Sequence, residues 1–453
     1  MCAELVATLE SPLPESLPVG VATAVFCYGT CSDSGDVRLL VDGVPHRTAA
    51  AGMPRPGSDE GVFWGIVPIP AQAEPRLVEL AIAARRAGGA LLGRIDVTPS
   101  RQPPALSHAA PEGLAAICMA TYEPDPALFA TQIESLRAQT DDRWVCLVSD
   151  DASSEEALAR IAAAVAGDPR FIVVPSDLRR GFYRNFERAL RLAPAEAGLI
   201  AFCDQDDHWH PDKLATLRAA LGSAQLVYSD QRLVGRDGHV FRDTMWKGRS
   251  NNHTSLASML VANSVTGAAA LFRREVAELA LPFPMAPGLA LHDHWIALVA
   301  LASGDVAYVD RPLYDYVQHG GAVFGDVVGS AGARRPAAGL LKGARAAYFH
   351  GYLQRELFAR VLLARCAGRM APAKRRALER FIRAPRSPAA FGWLAARPLR
   401  MVAGRTETLG SEAELVKGLL WRWAAGAHRS PDVSVPDVLS FEQRRLRRWR
   451  GRL

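Results

Sequence analysis

A chain of 453 residues with 49% hydrophobic and 22% charged residues is not an intrinsically disordered protein. It also exceeds what one hydrophobic core supports, so at least two domains are expected. The net charge of +6 is uneven: residues 331–453 hold 26 Lys and Arg against 8 Asp and Glu, leaving 27 against 39 for the rest. A basic C-terminal region suits anionic lipid surfaces, lipid-linked phosphates or nucleic acid, and it is equally what a solvated helix face looks like. No run of about eighteen uncharged apolar residues occurs, and no basic segment followed by an apolar stretch opens the chain, so neither a membrane span nor a secretion signal is expected. Seven cysteines without a second close pair are expected to be reduced thiols in a cytoplasmic protein.

From Val19 to Val97, short alternating runs such as Val37 to Val41 and Val62 to Ile69 are separated by Gly, Pro and Asp clusters such as Asp42-Gly43. This favours a small β-sandwich-like domain over residues 1–105. Pro99 to Pro111 has the composition of a linker.

Beyond it, apolar runs alternate with helical patterns, the signature of a mostly parallel sheet covered by helices. Strands are expected at Leu114 to Met119, Trp144 to Val148, Phe171 to Val174 and Leu199 to Cys203. Helices are expected from Pro126 to Ala138, with Asp125 as N-cap and proline at the first position, from Glu155 to Val165, and from Tyr183 to Leu192. Parallel strands aim their C-terminal ends at one edge, where ligands bind. Thr121, Tyr122, Asp150, Asp151 and the acidic turn Asp204-Gln205-Asp206-Asp207 stand just past those ends. This α/β domain is expected over residues 112–328.

Residues 331–453 are rich in Ala, Leu and Arg, with helical stretches at Ala346 to Ala367, Ala373 to Phe381 and Glu412 to Trp423. A basic helical C-terminal region is expected there.

Three carboxylates within four residues, Asp204, Asp206 and Asp207, repel one another if desolvated without a counter-ion, and a hard divalent cation with an open coordination sphere resolves that. The bland alternative is a solvated acidic turn ahead of a helix. Asp150 and Asp151 have a similar alternative, capping the next helix with Ser153. His292-Asp293-His294-Trp295 on its own is a helix start with Asp293 in the first turn.

The segment DQDDHWHPDKL, Asp204 to Leu214, resembles the metal-binding segment of family 2 glycosyltransferases of the rhamnosyltransferase-like kind. ICMATYEPDPALFATQIESLRAQT, VSDDASS, GFYRNFERAL, NSVTGAAALFRRE, HDHW and YVQHGGAVFG follow that family's order from Ile117 to Gly325. The resemblance implies a GT-A fold and an inverting transfer of a sugar, with rhamnose a candidate, from a dTDP- or UDP-sugar. The implied acceptor is a saccharide or lipid-linked molecule of cell-surface polysaccharide synthesis, with Mg²⁺ or Mn²⁺ as cofactor.

Laid on matching positions, it implies donor contacts at Thr121, Tyr122, Asp150, Asp151, Arg184 and Asp204. Asp206, Asp204 and His319 are implied around the metal, and Asp293 as catalytic base. Thr266, Gly267, His292 and Trp295 fall on the acceptor side. His319, alone before two glycines, is as readily a loop residue. Contact with the inner face of a membrane through the basic region is a further expectation, and no nucleic-acid partner is expected. The absence of both membrane spans and a Gln-X-X-Arg-Trp motif favours transfer of one or a few sugars over polymer synthesis. Two rival readings are a nucleotidyltransferase, disfavoured because ATYEPDP is no Gly-rich basic loop, and an inactive glycan-binding scaffold in which Phe63 or Trp64 stacks on sugars.

Overall fold

The computed structural model describes residues 5–33, 37–47, 49–51, 61–84, 88–100, 102–106, 110–246, 251–318, 343–402, 408 and 410–424. His319 and the Gly-rich segment after it lie outside the described residues. The chain forms two compact units. One comprises residues 1–101, 284–290 and 329–453, and the other residues 102–283 and 291–328. Among the described residues, no helix is long and apolar enough to cross a membrane.

The first unit begins with nine strands: β1 (Ala7–Leu9), β2 (Ser16–Pro18), β3 (Thr23–Cys31), β4 (Val37–Val41), β5 (Val44–Arg47), β6 (Ala49–Ala51), β7 (Gly61–Ile69), β8 (Arg76–Ala84) and β9 (Gly88–Thr98). They form two sheets, ordered β1-β3-β7-β6 and β2-β9-β8-β4-β5. Alternate residues of β8, Val78, Leu80 and Ile82, turn inward to meet Val25, Phe63 and Val67 of the other sheet in one core, which is sandwich packing. Asp42 and Gly43 join β4 to β5 with φ of 49° and 78°, as a two-residue hairpin turn requires. Cys27 and Cys31 are buried and free, and burial pushes the Cys27 thiol up to about 12.

The C-terminal helices of this unit span Leu353–Cys366, Pro372–Arg383, Pro388–Ala396, Leu399–Val402 and Ser411–Ala424, after a π-helical turn at Ala347–Tyr352. They pack on the sandwich. Arg365 donates to Ala22 O at 3.0 Å and to Thr23 Oγ1 at 3.2 Å. The Trp64 ring meets Tyr348 and Phe349 edge-on at 5.8 and 5.5 Å. Phe63 is fully buried and offers no free face for stacking on a sugar, whereas Trp64 is half-buried.

The second unit is built on strands β10 (Ala115–Thr121), β11 (Trp144–Asp150), β12 (Phe171–Val174), β13 (Leu199–Cys203), β14 (His208–Trp209), β15 (Leu226–Gly235), β16 (Val240–Arg242), β17 (Ala270–Arg273) and β18 (Val306–Gln318). The sheet order is β12-β11-β10-β13-β17-β15-β18-β14, with β16 on β15. Pairing is parallel from β12 to β13, antiparallel about β17, and parallel again between β15 and β18. The central strands β10 and β11 are buried on both faces, which explains their unbroken apolar runs.

Helices α1 (Pro126–Arg137), α2 (Glu155–Val165), α3 (Phe182–Leu192), α4 (Lys213–Leu221), α5 (Leu256–Val261), α6 (Arg274–Ala280) and α7 (His292–Ser303) complete the unit. Asp125 caps α1, accepting from the amides of Ala127 and Leu128 at 3.0 and 3.2 Å. Cys118, Cys146 and Cys203 are buried and free.

Candidate active site

Because β10, β11 and β13 run parallel, Thr121, Asp150 and Cys203 end at one edge of the sheet. Asp150 is wholly buried there. It accepts from Thr121 Oγ1 at 3.1 Å, Ser153 N at 2.9 Å and Ser153 Oγ at 2.6 Å. Both oxygens of Asp151 accept backbone amides, those of Arg180 and Gly181, each at 2.7 Å. The two carboxylates are thus spent on folding the loops that follow β11 and β12. Gly181 takes φ +78° to turn its amide toward Asp151 just before α3, a conformation that glycine adopts without cost.

Above them Tyr122 is fixed through its backbone. Its amide donates to Gln205 Oε1 at 2.9 Å, and Gln205 Nε2 returns a bond to Tyr122 O at 3.3 Å. The Arg179 guanidinium lies 3.6 Å from the Tyr122 ring centroid, making a flat cationic shelf at the strand edge. Arg184, by contrast, pairs with Glu187 and reaches Phe283 O at 3.4 Å. Its guanidinium is therefore engaged away from this shelf. The neighbouring Asn185 does the structural work of the GFYRN segment, exchanging 2.7 Å bonds with Ser149 Oγ and Ser149 O.

The acidic turn follows β13. Asp204 is partly buried, and its carboxyl is pushed up to about 7 by burial and by the charges of Asp206 and Asp293. Asp207 is buried and accepts from Val317 N at 3.1 Å through Oδ1, and its Oδ2 has no hydrogen-bond partner among the described residues. Burial and the two neighbouring acids hold it well above the carboxylate range. Lys213, the first residue of α4, is also fully buried. Its ammonium lies 3.2 Å from the Trp209 ring centroid and 4.7 Å from that of Tyr314, and donates to Ala268 O.

The strand after the turn is clamped from its other face. The buried Asp315 binds Arg232 through two bonds of 2.6 and 2.8 Å, His208 at 3.3 Å and His210 at 3.1 Å. Burial works against that charge, but these three partners keep the carboxyl far below its usual range.

On the other side stands Asp293, in the first turn of α7. Oδ1 accepts from Asn263 Nδ2 at 3.0 Å and from His294 N at 2.5 Å, and the Gly267 amide also bonds this carboxylate. Burial nevertheless pushes it up to about 7, outweighing the helix N-terminus. The acidic turn and Asp293 share one electrostatic neighbourhood. Asp293 raises Asp204, and the Tyr316 hydroxyl, itself raised by burial, feels Asp207, Asp204, Asp206 and Asp293.

His292 and Trp295 are buried in the interior of the unit. His292 is stacked on Phe186 at 3.7 Å, and burial lowers it to about 3, so it is neutral. Trp295 is fully buried, with Nε1 donating to Ala280 O at 3.0 Å. Thr266 precedes the 3₁₀ turn Gly267–Ala269.

At Gly267 a Cβ would stand 2.6 Å from His292 Nε2 and 3.5 Å from Asp293 Cβ. The missing side chain therefore lets this turn close on α7. Gly267→Ala should shift Asp293 by a fraction of an ångström and lower kcat by about tenfold or more, with donor KM nearly unchanged. Steady-state kinetics of the folded variant give the answer, and an unaltered kcat refutes this role.

Among the described residues, no group of three or more His, Cys, Asp or Glu has metal-holding geometry. The chemistry of the acidic turn still fits a hard cation. Asp204 and Asp206 are half-buried at a strand edge, and their mutual repulsion is what a divalent ion relieves. The remaining coordination positions would fall to substrate oxygens, water or residues beyond the described ones.

Sequence reasoning did not single out Arg179, Gln205, Lys213, Asn263 or Tyr316. Gln205 and Lys213 lie inside the DQDDHWHPDKL segment, Asn263 opens NSVTGAAALFRRE and Tyr316 opens YVQHGGAVFG, and those segments were the local signal for all four.

Residues 116–279 match the family model described as "Glycosyl transferase family 2". An uncharacterized protein, y4gI, of Sinorhizobium fredii (strain NBRC 101917 / NGR234) is 30% identical over 129 residues, 28% of this chain. That match spans only 14% of the relative's length. Among solved structures, S. aureus TarS 1–349 in complex with UDP-GlcNAc aligns at 15% identity and a TM-score of 0.42, over 69% of this chain and 92% of that one. The mannosyltransferase PcManGT from Pyrobaculum calidifontis, in complex with GDP-Man and Mn²⁺, aligns at 17% identity and a TM-score of 0.36, over 72% and 90%. The strand-edge site of the second unit lies within residues 116–279, the segment that the glycosyl transferase family 2 model matches.

Proposed function

We propose that the chain is an inverting glycosyltransferase that moves a sugar from a nucleoside diphosphate donor, dTDP- or UDP-linked, onto a hydroxyl of a saccharide or lipid-linked acceptor. Rhamnose is the sugar that the sequence resemblance favours, and cell-surface polysaccharide assembly at the inner face of the membrane is the setting it favours. The observation that supports this most is the meeting of two acids from one strand end, Asp204 and Asp206, with a third from a helix start, Asp293, in one electrostatic neighbourhood.

The Tyr122–Arg179 shelf, braced by Asp150 and Asp151, is suited to the nucleotide. Asp206, with Asp204, would hold Mg²⁺ or Mn²⁺, which neutralises charge on the departing diphosphate when bound. Asp293 accepts the proton of the acceptor hydroxyl as its oxygen bonds to the anomeric carbon. The bond from that carbon to the diphosphate oxygen breaks, and its electron pair leaves with the nucleoside diphosphate. Gly267 N–H and Asn263 orient the carboxylate.

A donor panel assayed with Mn²⁺ or Mg²⁺ tests this directly. Nucleoside diphosphate release and an inverted anomeric product are expected. Retention of configuration, or release of pyrophosphate from a nucleoside triphosphate, overturns the proposal.

The raised carboxyls give pH signatures. A base near 7 must be ionised, so kcat/KM should climb about tenfold per unit below pH 7 and level off above it. An unshifted carboxylate would level off near 4. The same shifts make the folded state bind protons that the unfolded chain, with carboxyls at their ordinary value of 3.8, does not. Their contribution is therefore favourable at acid pH and is lost as pH rises through 7. A cation offsets that loss, so Mn²⁺ should raise Tm more at pH 8 than at pH 6. At 100 times Kd, mass action amounts to about 2.7 kcal/mol. Calorimetry showing equal or no shifts at both pH values counts against the metal assignment.

A further inference from the structure

We infer that the helix Pro372–Arg383 and the apolar cleft beside it form a seat for an anionic phospholipid surface. At 100° per residue, Arg375, Arg376, Arg380 and Arg383 fall within one arc of the helix, and all four are exposed. Leu378 and Phe381 occupy the opposite side and are buried, with Phe381 stacked on Tyr352 at 4.9 Å. The helix is thus held by its apolar face and turns its cations outward. Glu379 lies in the same arc and pairs with Arg383, while Arg375, Arg376 and Arg380 have no ion-pair partner among the described residues. Residues 369–386 hold seven Lys and Arg against that single acid, a net of +6.

Two apolar features accompany the charge. A cleft of about 290 Å³ opens where Ile382 and Arg383 of this helix meet Leu363 and Ala364 of the preceding one and Ala24 and Pro68 of the sandwich. Its walls are largely hydrocarbon, and the charged residues that line it are Arg360, Glu379 and Arg383, with Arg360 paired to Glu356 and Arg383 to Glu379. At the C-terminal end of the basic helix, Trp423 donates through Nε1 to Pro385 O at 2.9 Å, yet it remains 41% exposed. Leu420, on the same helix as Trp423, is 50% exposed.

Cations alone would suit any polyanion. Cations flanking an apolar cleft and an exposed tryptophan suit a surface that is anionic outside and hydrocarbon beneath, which is a bilayer of acidic phospholipids. The surface deepens the membrane setting proposed above, yet it fails or stands separately from the transfer chemistry. Vesicle binding reads one, and nucleoside diphosphate release in solution reads the other.

Deleting the C-terminal region is a poor test, because Trp64, Ala22 and Thr23 of the sandwich would lose Tyr348, Phe349 and Arg365. Point variants of the full chain keep the packing. The wild type should co-sediment with equimolar phosphatidylglycerol–phosphatidylcholine vesicles, should not do so with phosphatidylcholine alone, and should be released at high salt. R375E/R376E/R380E should lower the partition coefficient at least about 100-fold. Ala364→Trp, which fills the cleft without changing charge, and Trp423→Ala should each lower it about three- to tenfold. An unaltered melting temperature and unaltered nucleoside diphosphate release confirm that each variant is folded. Equal binding to both vesicle types, no binding to either, or an unaffected triple variant overturns the proposal. So does binding of soluble inorganic polyphosphate together with no vesicle binding, which would assign the arc to a soluble polyanion.

Discussion

Asp293→Asn should reduce turnover by about 10³-fold or more while the donor still binds. The substitution is nearly isosteric. Oδ1 can still accept from Asn263 Nδ2 and His294 N, so the first turn of α7 keeps its geometry. What disappears is the group able to take a proton, and general-base catalysis is worth about 10² to 10⁴ in rate. The charge change also has a sign that can be measured. Asp293 is one of the charges that raise Asp204, so removing it lowers the proton affinity of the acidic turn. Donor affinity in the presence of Mn²⁺, measured by calorimetry, should be unchanged or slightly better near pH 7. The acid limb of the rate profile should move or vanish. Loss of donor binding in parallel with turnover would show instead that Asp293 serves the donor half of the site. Full activity would remove the assignment altogether.

How much of this was legible beforehand follows from the range of the forces involved. Where local chemistry decides, the sequence was read to the residue. Glu155–Val165, Phe171–Val174 and Leu199–Cys203 have the bounds that their apolar runs and flanking caps suggest, and Asp125 with Pro126 starts α1. The strands after the acidic turn were not read. β15 and β18 run parallel with register shifts near Asp230, and their polar residues find partners far away, as Asp230 does with the Met245 amide and Tyr314 with Gln231. No window of local sequence contains those pairs. The helices after residue 343 were mostly legible as helices, but their packing on the sandwich was not, because Trp64 and Tyr348 are brought together only by the fold.

The site follows the same division. Asp204, Asp206 and Asp293 stand out in the sequence because acid density and motif order are written in the chain. His292 and Trp295 were drawn in by adjacency to Asp293. On a helix, though, neighbours one and two residues away lie about 100° and 200° around the axis. The side chains of His292 and Trp295 therefore enter the core, while that of Asp293 is only half-buried. Asp150 and Asp151 are the converse case. The alternative in which they organise loops describes their hydrogen bonds well, and that role still shapes the floor on which a nucleotide would lie.

Lys213→Met should expose how the two halves of the site are held together. Lys213 is fully buried, a position that costs a lone ammonium heavily, and burial lowers its pKa well below the usual lysine value. It is retained between the rings of Trp209 and Tyr314, with the acids Asp204 and Asp207 near enough to favour its charge. Its one hydrogen-bond acceptor among the described residues is Ala268 O, in the same short turn whose Gly267 amide binds Asp293. One side chain thus lies between the acids of the acidic turn and the turn whose amide binds Asp293. Methionine keeps most of the volume and the contact with the rings but supplies neither charge nor donor. The positive charge that helps lower Asp207 would be gone, and Ala268 O would lose a buried donor, which costs about 1–3 kcal/mol of stability. In the fraction that stays folded, a released Gly267–Ala269 turn should lower kcat by about 10²-fold. Donor KM should change less, because the Tyr122–Arg179 shelf is built on other loops. Lys213→Arg should not restore the rate, since a planar guanidinium does not fit where an ammonium sits against two rings. Kinetics below the unfolding transition separate the two effects. A folded Lys213→Met variant with wild-type kcat would mean that Lys213 only fills space, and that Asp293 is positioned by α7 alone.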